Sequence, residues 1–237
     1  MNFPEPLLRG TLVKRYKRFM ADVVLDAGGT VTAHCANTGA MLGVQEPGAE
    51  VWLSPAQNPD RKLKYTWEMI RVGDGLVGIN TSHPNRIVSD AIAAGALPEL
   101  AGYAGLRREV KYGRNSRIDI LLADGEIPDA KLDCYVEIKN VHLMREAGLA
   151  EFPDSVSTRA AKHQGELADM VEAGARAVVV YLCQRTDCDR FRLAADIDPD
   201  YAAAAKDARA RGVEVLCYAC DLTPAGITLS HRLDIVD

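Results

Sequence analysis

The arrangement of apolar residues changes near residue 85, and this change limits the architectures open to the chain. Before it, short apolar stretches alternate with turn sequences such as Asp26-Ala-Gly-Gly and Asn37-Thr-Gly. After it, strand-like stretches alternate with longer helical ones. The 237-residue chain is therefore predicted to form two domains, residues 1–83 and residues 84–237.

The first domain is predicted to contain only β-strands. They cover residues 11–25, 30–35, 49–53, 65–72 and 76–80. Five short strands separated by turns favour a small closed barrel of the OB type, because closure removes exposed sheet edges. A small β-sandwich has a similar strand count, so strand counting leaves both folds open.

The second domain is predicted to be a mixed sheet flanked by helices, because its strands and helices alternate. The predicted helices cover residues 87–94, 97–109, 155–173 and 199–211. The predicted strands cover residues 117–122, 134–141, 176–183 and 213–219. An acidic turn over residues 123–131 separates the first two strands.

Charged residues interrupt two apolar strands of this domain. Side chains alternate along a strand, so the apolar residues of strand 117–122 should share one face, namely Ile118, Ile120 and Leu122. Asp119 would lie on the opposite face, and Glu137 and Lys139 would lie together in strand 134–141. If the two strands form a hairpin, these three charged side chains converge.

Buried carboxylates are costly unless they bind a cation or form ion pairs. Asp119 and Glu137 are candidate ligands of Mg²⁺ or Mn²⁺, since such ions are held by a few carboxylates together with water and phosphate. Lys139 is a candidate catalytic residue that acts on water and on transition-state charge. Glu109, predicted at a helix end, would add a further carboxylate. A structural ion-pair network with Arg117 explains the spacing equally well.

A basic segment near the N-terminus is a candidate nucleic-acid contact. It consists of Lys14, Arg15, Tyr16, Lys17 and Arg18. The net charge of −5 excludes a protein that coats nucleic acid through bulk charge, so any contact must be local. Cations and aromatic rings on an OB surface suit backbone contact and base stacking. In one continuous strand, alternate members would share a face, and a solvated surface is the competing interpretation.

One predicted helix carries a polar stripe. Arg159, Lys162, His163 and Glu166 follow one another at helical spacing. Lys162 and His163 are candidate accessory residues beside a metal site, whereas an exposed helix face is the commoner meaning of such a stripe.

Cysteine content and hydropathy bear on the compartment. Six cysteines in a chain of this length do not make a disulfide framework, and the longest apolar run covers only residues 177–183. We therefore expect a cytoplasmic protein with no membrane partner.

Several of the residues described so far match sequence patterns of known protein families. The pattern of Asp119 followed by Glu137-Ile-Lys139 resembles the core of the PD-(D/E)xK nuclease superfamily. Longer strings, such as Glu109-Val-Lys-Tyr-Gly and Cys134-Tyr-Val-Glu-Ile-Lys, extend the match, and nearly the whole chain resembles the sugar fermentation stimulation protein A family. That resemblance implies an OB-type domain, a nuclease-like domain, DNA binding and a link to sugar metabolism, particularly of maltose.

The resemblance also implies roles for the residues already singled out. Asp119 and Glu137 would hold Mg²⁺ or Mn²⁺, and Lys139 and Glu109 would act in phosphodiester cleavage. Arg117, Lys162 and His163 would assist them. The expected partner is DNA, bound without sequence preference, and a non-catalytic DNA-binding regulator is the alternative. The oligomeric state stays open, with a homodimer as one option.

Overall fold

The computed structural model describes residues 1–113, 116–125 and 131–236. The predicted turn 123–131 therefore lies partly outside the described residues. The described chain contains three sheets and three α-helices.

The first sheet forms a barrel. Its strands are β1 (Leu8–Tyr16), β2 (Met20–Leu25), β3 (Thr30–Cys35), β4 (Glu50–Pro55), β5 (Tyr65–Val72) and β6 (Gly75–Gly78). They lie in the order β3-β2-β1-β4-β5-β6, and β3 also pairs in parallel with β5. That pairing closes five strands around a core that includes Leu12, Trp67 and Ile70, so the predicted OB barrel is confirmed. The sixth strand extends β5 as a hairpin.

The basic segment is not one continuous strand, so the predicted sharing of faces from Lys14 to Arg18 is wrong. β1 ends at Tyr16, and β2 begins at Met20. Lys17 and Arg18 have φ angles of 49° and 65°, which turn the chain between the two strands. The turn lies at the tip of the β1–β2 hairpin.

The second domain begins with α1 (Pro84–Ala93) and is built on a six-stranded mixed sheet. The further strands and helices are β7 (Gly105–Tyr112), β8 (Ser116–Ala123), β9 (Cys134–Val141), β10 (Leu143–Glu146), β11 (Gly148–Phe152), α2 (Thr158–Glu172), β12 (Arg176–Cys183), β13 (Cys188–Leu193), α3 (Pro199–Ala210), β14 (Glu214–Thr223), β15 (Gly226–Arg232) and β16 (Asp234–Ile235). The central sheet has the order β15-β14-β12-β9-β8-β7, and β10, β11, β13 and β16 form a smaller sheet. β12 runs parallel to both neighbours. The predicted mixed sheet with flanking helices is confirmed.

Helices cover both faces of the central sheet. Ile87 and Val88 of α1 pack with Ile120 and Val136 on one face, which we call the α1-side core. On the other face, α2 and α3 pack against residues such as Leu121 and Val179, which we call the α2-side core. All six cysteines are free and buried. Within the described residues, no helix has the length and apolar character needed to cross a membrane.

The predicted helix over residues 97–109 is wrong. Only Pro98–Leu100 forms a helical turn, and residues 105–112 form β7, antiparallel to β8. The Arg, Glu and Lys residues of this segment favour helices in isolation, but pairing with the apolar strand β8 overrides that weak preference. Glu109 therefore lies within a strand and not at a helix end.

The two domains contact each other at several points. Residues 1–7 form an N-terminal strap whose first three residues lie beside the start of β15, where the Phe3 N–H donates to the Ala225 carbonyl at 3.0 Å. The Gly78 N–H of the barrel donates to the Gln184 carbonyl at 2.8 Å. The Met41 N–H donates to Asp154 Oδ2 at 2.9 Å.

Candidate active site

Asp119 lies where the β8–β9 hairpin opens. The two strands pair through Ile120 and Val136, and beyond this pair Asp119 Oδ2 accepts a hydrogen bond from the Ile138 N–H at 2.7 Å. The carboxylate thus takes the position of a strand carbonyl. The opening also interrupts side-chain alternation. Ile118 packs in the α2-side core whereas Ile120 packs in the α1-side core, so the prediction of one shared face is wrong.

Glu137 is buried beside α2. Its Oε1 accepts hydrogen bonds from Lys139 Nζ at 2.7 Å and contacts His163 Nδ1 at 2.8 Å. Both partners are well buried, with side-chain exposures of 11% for Lys139 and 7% for His163. The structure therefore brings Glu137, Lys139 and His163 into direct contact, although His163 comes from a different element.

A cavity of about 570 Å³ lies in front of these acids. It is lined by Glu109, Ser116, Arg117, Asp119, Glu137, Arg159, Lys162 and His163. The cavity thus collects seven charged or titratable side chains from β7, β8, β9 and α2. Lys139 reaches this site through its bond to Glu137.

The polar stripe of α2 faces this cavity. The helix begins after Ser157, whose side chain accepts from the Ala160 N–H. His163 is buried against Glu137, while Arg159 and Lys162 are exposed at the cavity wall. Lys162 also pairs with Glu166 at 3.2 Å. The stripe is therefore partly an internal surface of the site.

Asn85 of α1 is a site residue that the sequence reasoning missed. Its side-chain amide donates to Asp119 Oδ1 at 2.8 Å and to Glu109 Oε1 at 3.2 Å. It therefore links the two carboxylates across the cavity. Asn85 follows Pro84 at the start of a helix, which places it at a helix end, but its partners lie 24 and 34 residues further along the chain.

The surroundings of the site shift the pKa values of its two acids, Asp119 and Glu137, in opposite directions. Burial, together with the negative charge of Glu137, raises the pKa of Asp119 to about 6, against the lowering effect of the Ile138 N–H and Asn85. Burial also opposes ionisation of Glu137, but His163 and Lys139 outweigh it and lower its pKa. Both carboxylates are therefore mainly ionised at neutral pH, in a region poor in water.

Glu137 has one carboxylate oxygen to which no described residue donates a hydrogen bond. Within the described part of the chain, Glu137 Oε2 is buried and accepts no hydrogen bond. An unsatisfied charged oxygen beside a second carboxylate suits a divalent cation with Asp119 and Glu137 as ligands. Among the described residues no third acidic, histidine or cysteine side chain completes a ligand cluster, so water or phosphate would fill the remaining positions.

The basic segment of the barrel lies in the other domain, and part of it is engaged in internal contacts. Arg15 donates to three carbonyl groups, those of Arg18, Asn37 and Gly39. Arg18 donates to the carbonyl of Thr38 at 2.8 Å. These guanidinium groups therefore hold the turn that follows β3.

The other members of the segment have different surroundings. Lys14 lies 3.8 Å from Asp22, and the Tyr16 hydroxyl donates to the same side chain. Lys17 is exposed, and so is Phe19 at 47%. The hairpin tip therefore presents cations and one aromatic ring to solvent.

Family models cover both domains of the chain. One, described as the SfsA N-terminal OB domain, matches residues 13–79. Another, described as the sugar fermentation stimulation protein RE domain, matches residues 82–226. The chain belongs to the sugar fermentation stimulation protein family. The resemblance to this family seen in the sequence is thus confirmed.

Relatives in the SfsA family match over nearly their full length. Sugar fermentation stimulation protein homologs from Rhodospirillum rubrum and Rhodospirillum centenum are 59% and 60% identical, covering 100% and 98% of this chain and 99% and 98% of their own. A solved structure described as Pyrococcus furiosus SfsA in complex with Ca²⁺ superposes with a TM-score of 0.87 at 25% identity. It covers 100% of this chain and 98% of its own.

Proposed function

We propose that this SfsA-family protein binds DNA and hydrolyses phosphodiester bonds with a divalent cation held by Asp119 and Glu137. The observation that carries the proposal is the buried Oε2 of Glu137, which accepts no hydrogen bond within the described residues and lies near a second desolvated carboxylate. The solved SfsA relative described with Ca²⁺ supports a cation site in this family. A bound Mg²⁺ or Mn²⁺ would neutralise phosphate charge and acidify a water molecule.

The other side chains of the site have separate roles. Lys139 and His163 fix Glu137 through Oε1 and leave Oε2 directed away from them. Asn85 orients Asp119 and keeps Glu109 at the cavity. Arg117, Arg159 and Lys162 line the same cavity and suit the oxygens of a phosphodiester.

DNA is the proposed partner because cations are available on both domains. On the barrel these are Lys14, Lys17 and Arg18 at the hairpin tip, with Tyr16 and Phe19 beside them. Arg15 would act indirectly, since it holds the turn over residues 37–39. Contacts of this kind bind the phosphate backbone of DNA and do not recognise its base sequence. Binding should therefore weaken steeply with salt.

The test uses Mn²⁺ as the probe. Mn²⁺ should raise the melting temperature of the wild-type protein by mass action, and Glu137→Gln and Asp119→Asn should each remove most of that increase. A variant that keeps the full increase would place the cation elsewhere.

Cleavage is then measured on plasmid and single-stranded DNA with Mg²⁺ or Mn²⁺. Lys139→Met should keep its fold, because His163 still bonds to Glu137 Oε1, yet lose roughly a hundredfold or more in rate. If wild-type protein binds DNA but cuts none, the protein is the non-catalytic regulator considered from the sequence.

A further inference from the structure

The outer edge of the central sheet carries cations that form an ion pair with no described carboxylate. On β7 and β8 these include Arg108, Lys111 and Arg117, and Arg159 of α2 faces the same cavity as Arg117. Within the described residues, none of the four forms an ion pair. Elsewhere in the chain, arginines such as Arg145, Arg176 and Arg211 are held by carboxylates at 2.5 to 2.8 Å. Cations without an ion pair also occur elsewhere among the described residues, for example Lys17, Lys62 and Lys206, but this group lies at one sheet edge beside the acidic cavity of a chain whose net charge is −5.

The backbone at Glu109 brings two of these cations to one face. Arg108 lies opposite Ile120, which packs in the α1-side core. Val110 lies opposite Ile118, and both pack in the α2-side core. Since cross-strand partners project to the same face, Arg108 and Lys111 share the α1-side face although they are three residues apart.

This arrangement has an energetic cost. Glu109 adopts a φ of 55°, a left-handed conformation that is uncommon for a non-glycine residue. Lys111 lies directly opposite Arg117 in the β7–β8 register, and like charges in that position repel each other. Strained backbone tends to cluster at ligand-binding sites, and an anionic ligand would relieve the repulsion between Lys111 and Arg117.

We propose that Arg108, Lys111, Arg117 and Arg159 form a phosphate-binding strip, along which a nucleic-acid backbone runs to the acidic cavity. The inference rests on the proposed function and specifies where the DNA lies. β7 is the outermost strand of the central sheet, so the strip is open to a long polyanion on its outer side. The dominant contact is with phosphate, and the barrel hairpin has a secondary role.

The test compares three variants by fluorescence anisotropy with a labelled 20-base-pair duplex and its single strand, in EDTA to prevent cleavage. The strip variant is Arg108→Gln, Lys111→Gln and Arg117→Gln. The control is Lys62→Gln, Lys206→Gln and Arg209→Gln, which removes three exposed cations and the same net charge. The barrel variant is Lys14→Gln, Lys17→Gln and Arg18→Gln.

The strip variant should lose at least tenfold in affinity at 100 mM salt, and its salt slope should fall by about 2 to 3, one contact for each cation. The control should change affinity less than threefold. Arg108→Lys with Arg117→Lys should restore most of the affinity, because phosphate contact needs charge more than guanidinium geometry. The melting temperature of the strip variant should equal or exceed that of the wild type, since the Lys111–Arg117 repulsion is gone.

Two results would overturn the inference, and they have different consequences for the proposed function. If the wild type binds and only the barrel variant loses affinity, DNA lies on the hairpin, and the proposed function survives without the strip. If the wild type binds neither duplex nor single strand at any salt concentration, the proposed function fails together with the strip.

Discussion

Glu137 uses its two oxygens differently, and this asymmetry defines the site at the scale of single residues. Oε1 is saturated by Lys139 and His163, whereas Oε2 accepts no hydrogen bond from the described residues. On the other side of the cavity, the two oxygens of Asp119 are bonded to Asn85 and to the Ile138 N–H. Substitutions of Asn85 can therefore change the charge beside Asp119 without altering either of the two candidate ligands.

Asn85→Asp replaces a donor with a third carboxylate beside Asp119 and Glu109. Without metal, the lost hydrogen bonds and the added repulsion should destabilise the fold by about 1–3 kcal/mol. Mn²⁺ should then raise the melting temperature of this variant more than that of the wild type, because three acids attract the ion more strongly. Both effects are measured by thermal unfolding.

Asn85→Ala serves as the matched variant, since it loses the hydrogen bonds but gains no charge. Its response to Mn²⁺ should not exceed that of the wild type. Equal metal responses in the Asp and Ala variants would mean that Asn85 does not face the ion.

Local patterns predicted part of this site. Asp119, Glu137 and Lys139 were recognisable because charged residues interrupt apolar strands, and His163 because helical spacing linked it to Arg159. Asn85 was missed because its role depends on how α1 packs on the sheet, which no local pattern encodes. Glu109 was predicted as a residue of the site, but it was placed at the end of a helix and not in a strand.

At the scale of secondary structure, one side chain joins the starts of two helices. Asp198, which is 1% exposed, accepts from the Tyr201 N–H at the start of α3 and from the Ser157 N–H before α2. Ser157 in turn accepts from the Ala160 N–H in the first turn of α2. Since α2 carries His163 to Glu137, the orientation of α2 sets the site.

Removal of the Asp198 side chain should therefore lower the free energy of unfolding more than removal of an ordinary N-cap does. Ser157→Ala should lower the free energy of unfolding by about 1 kcal/mol, the usual value for an N-cap. Asp198→Ala should lower it by about 2–3 kcal/mol, since two charge-assisted hydrogen bonds are lost. Urea unfolding followed by circular dichroism measures both, and equal losses would show that Asp198 caps α3 alone.

Elements with strong patterns were predicted closely. Residues 30–35, 65–72, 134–141 and 176–183 are strands with the predicted bounds, because their apolar patterns are strong. β7 was taken for a helix because its cations favour one. β11 was missed because it is only 5 residues long; it pairs with the short strand β10 and, in parallel, with β13 about 40 residues away.

At the scale of the whole molecule, Asp154 connects the two domains. Its Oδ2 accepts from the Met41 N–H of the barrel at 2.9 Å and contacts His142 Nε2 at 3.2 Å. Burial alone would raise the pKa of Asp154, but His142, the Met41 N–H and Ser155 outweigh it and lower the pKa to about 2. The same carboxylate lies so close to Gly39 that a Cβ there would be 2.9 Å from Oδ2.

The lowered pKa makes folding stability depend on pH. A carboxyl with a lower pKa in the folded state adds stability that is fully present above about pH 4 and is lost as the pH falls through about 2. The shift is worth about 2 kcal/mol. Asp154→Asn should therefore destabilise the protein by about that amount at pH 7 and flatten the loss of stability between pH 4 and pH 2.

Asp196→Asn provides the comparison, measured by the same unfolding titration. The pKa of Asp196 is also lowered to about 2, by Arg145, but its side chain is 63% exposed. Solvent screens such a pair, so Asp196→Asn should lower the free energy of unfolding much less than Asp154→Asn does. A loss at Asp196 as large as that at Asp154 would contradict the assignment of Asp154 as the buried link.

The N-terminal strap has a consequence for how the molecule behaves when its backbone is cut. The first three residues of the strap precede the barrel yet lie against the start of β15, and the barrel also bonds to Gln184 and Asp154. A single protease cut between residues 80 and 83 would therefore leave two fragments joined by noncovalent contacts at several places, these among them. Fragments 1–80 and 81–237, produced together, should assemble and copurify, so the two domains behave as complementing halves of one folding unit.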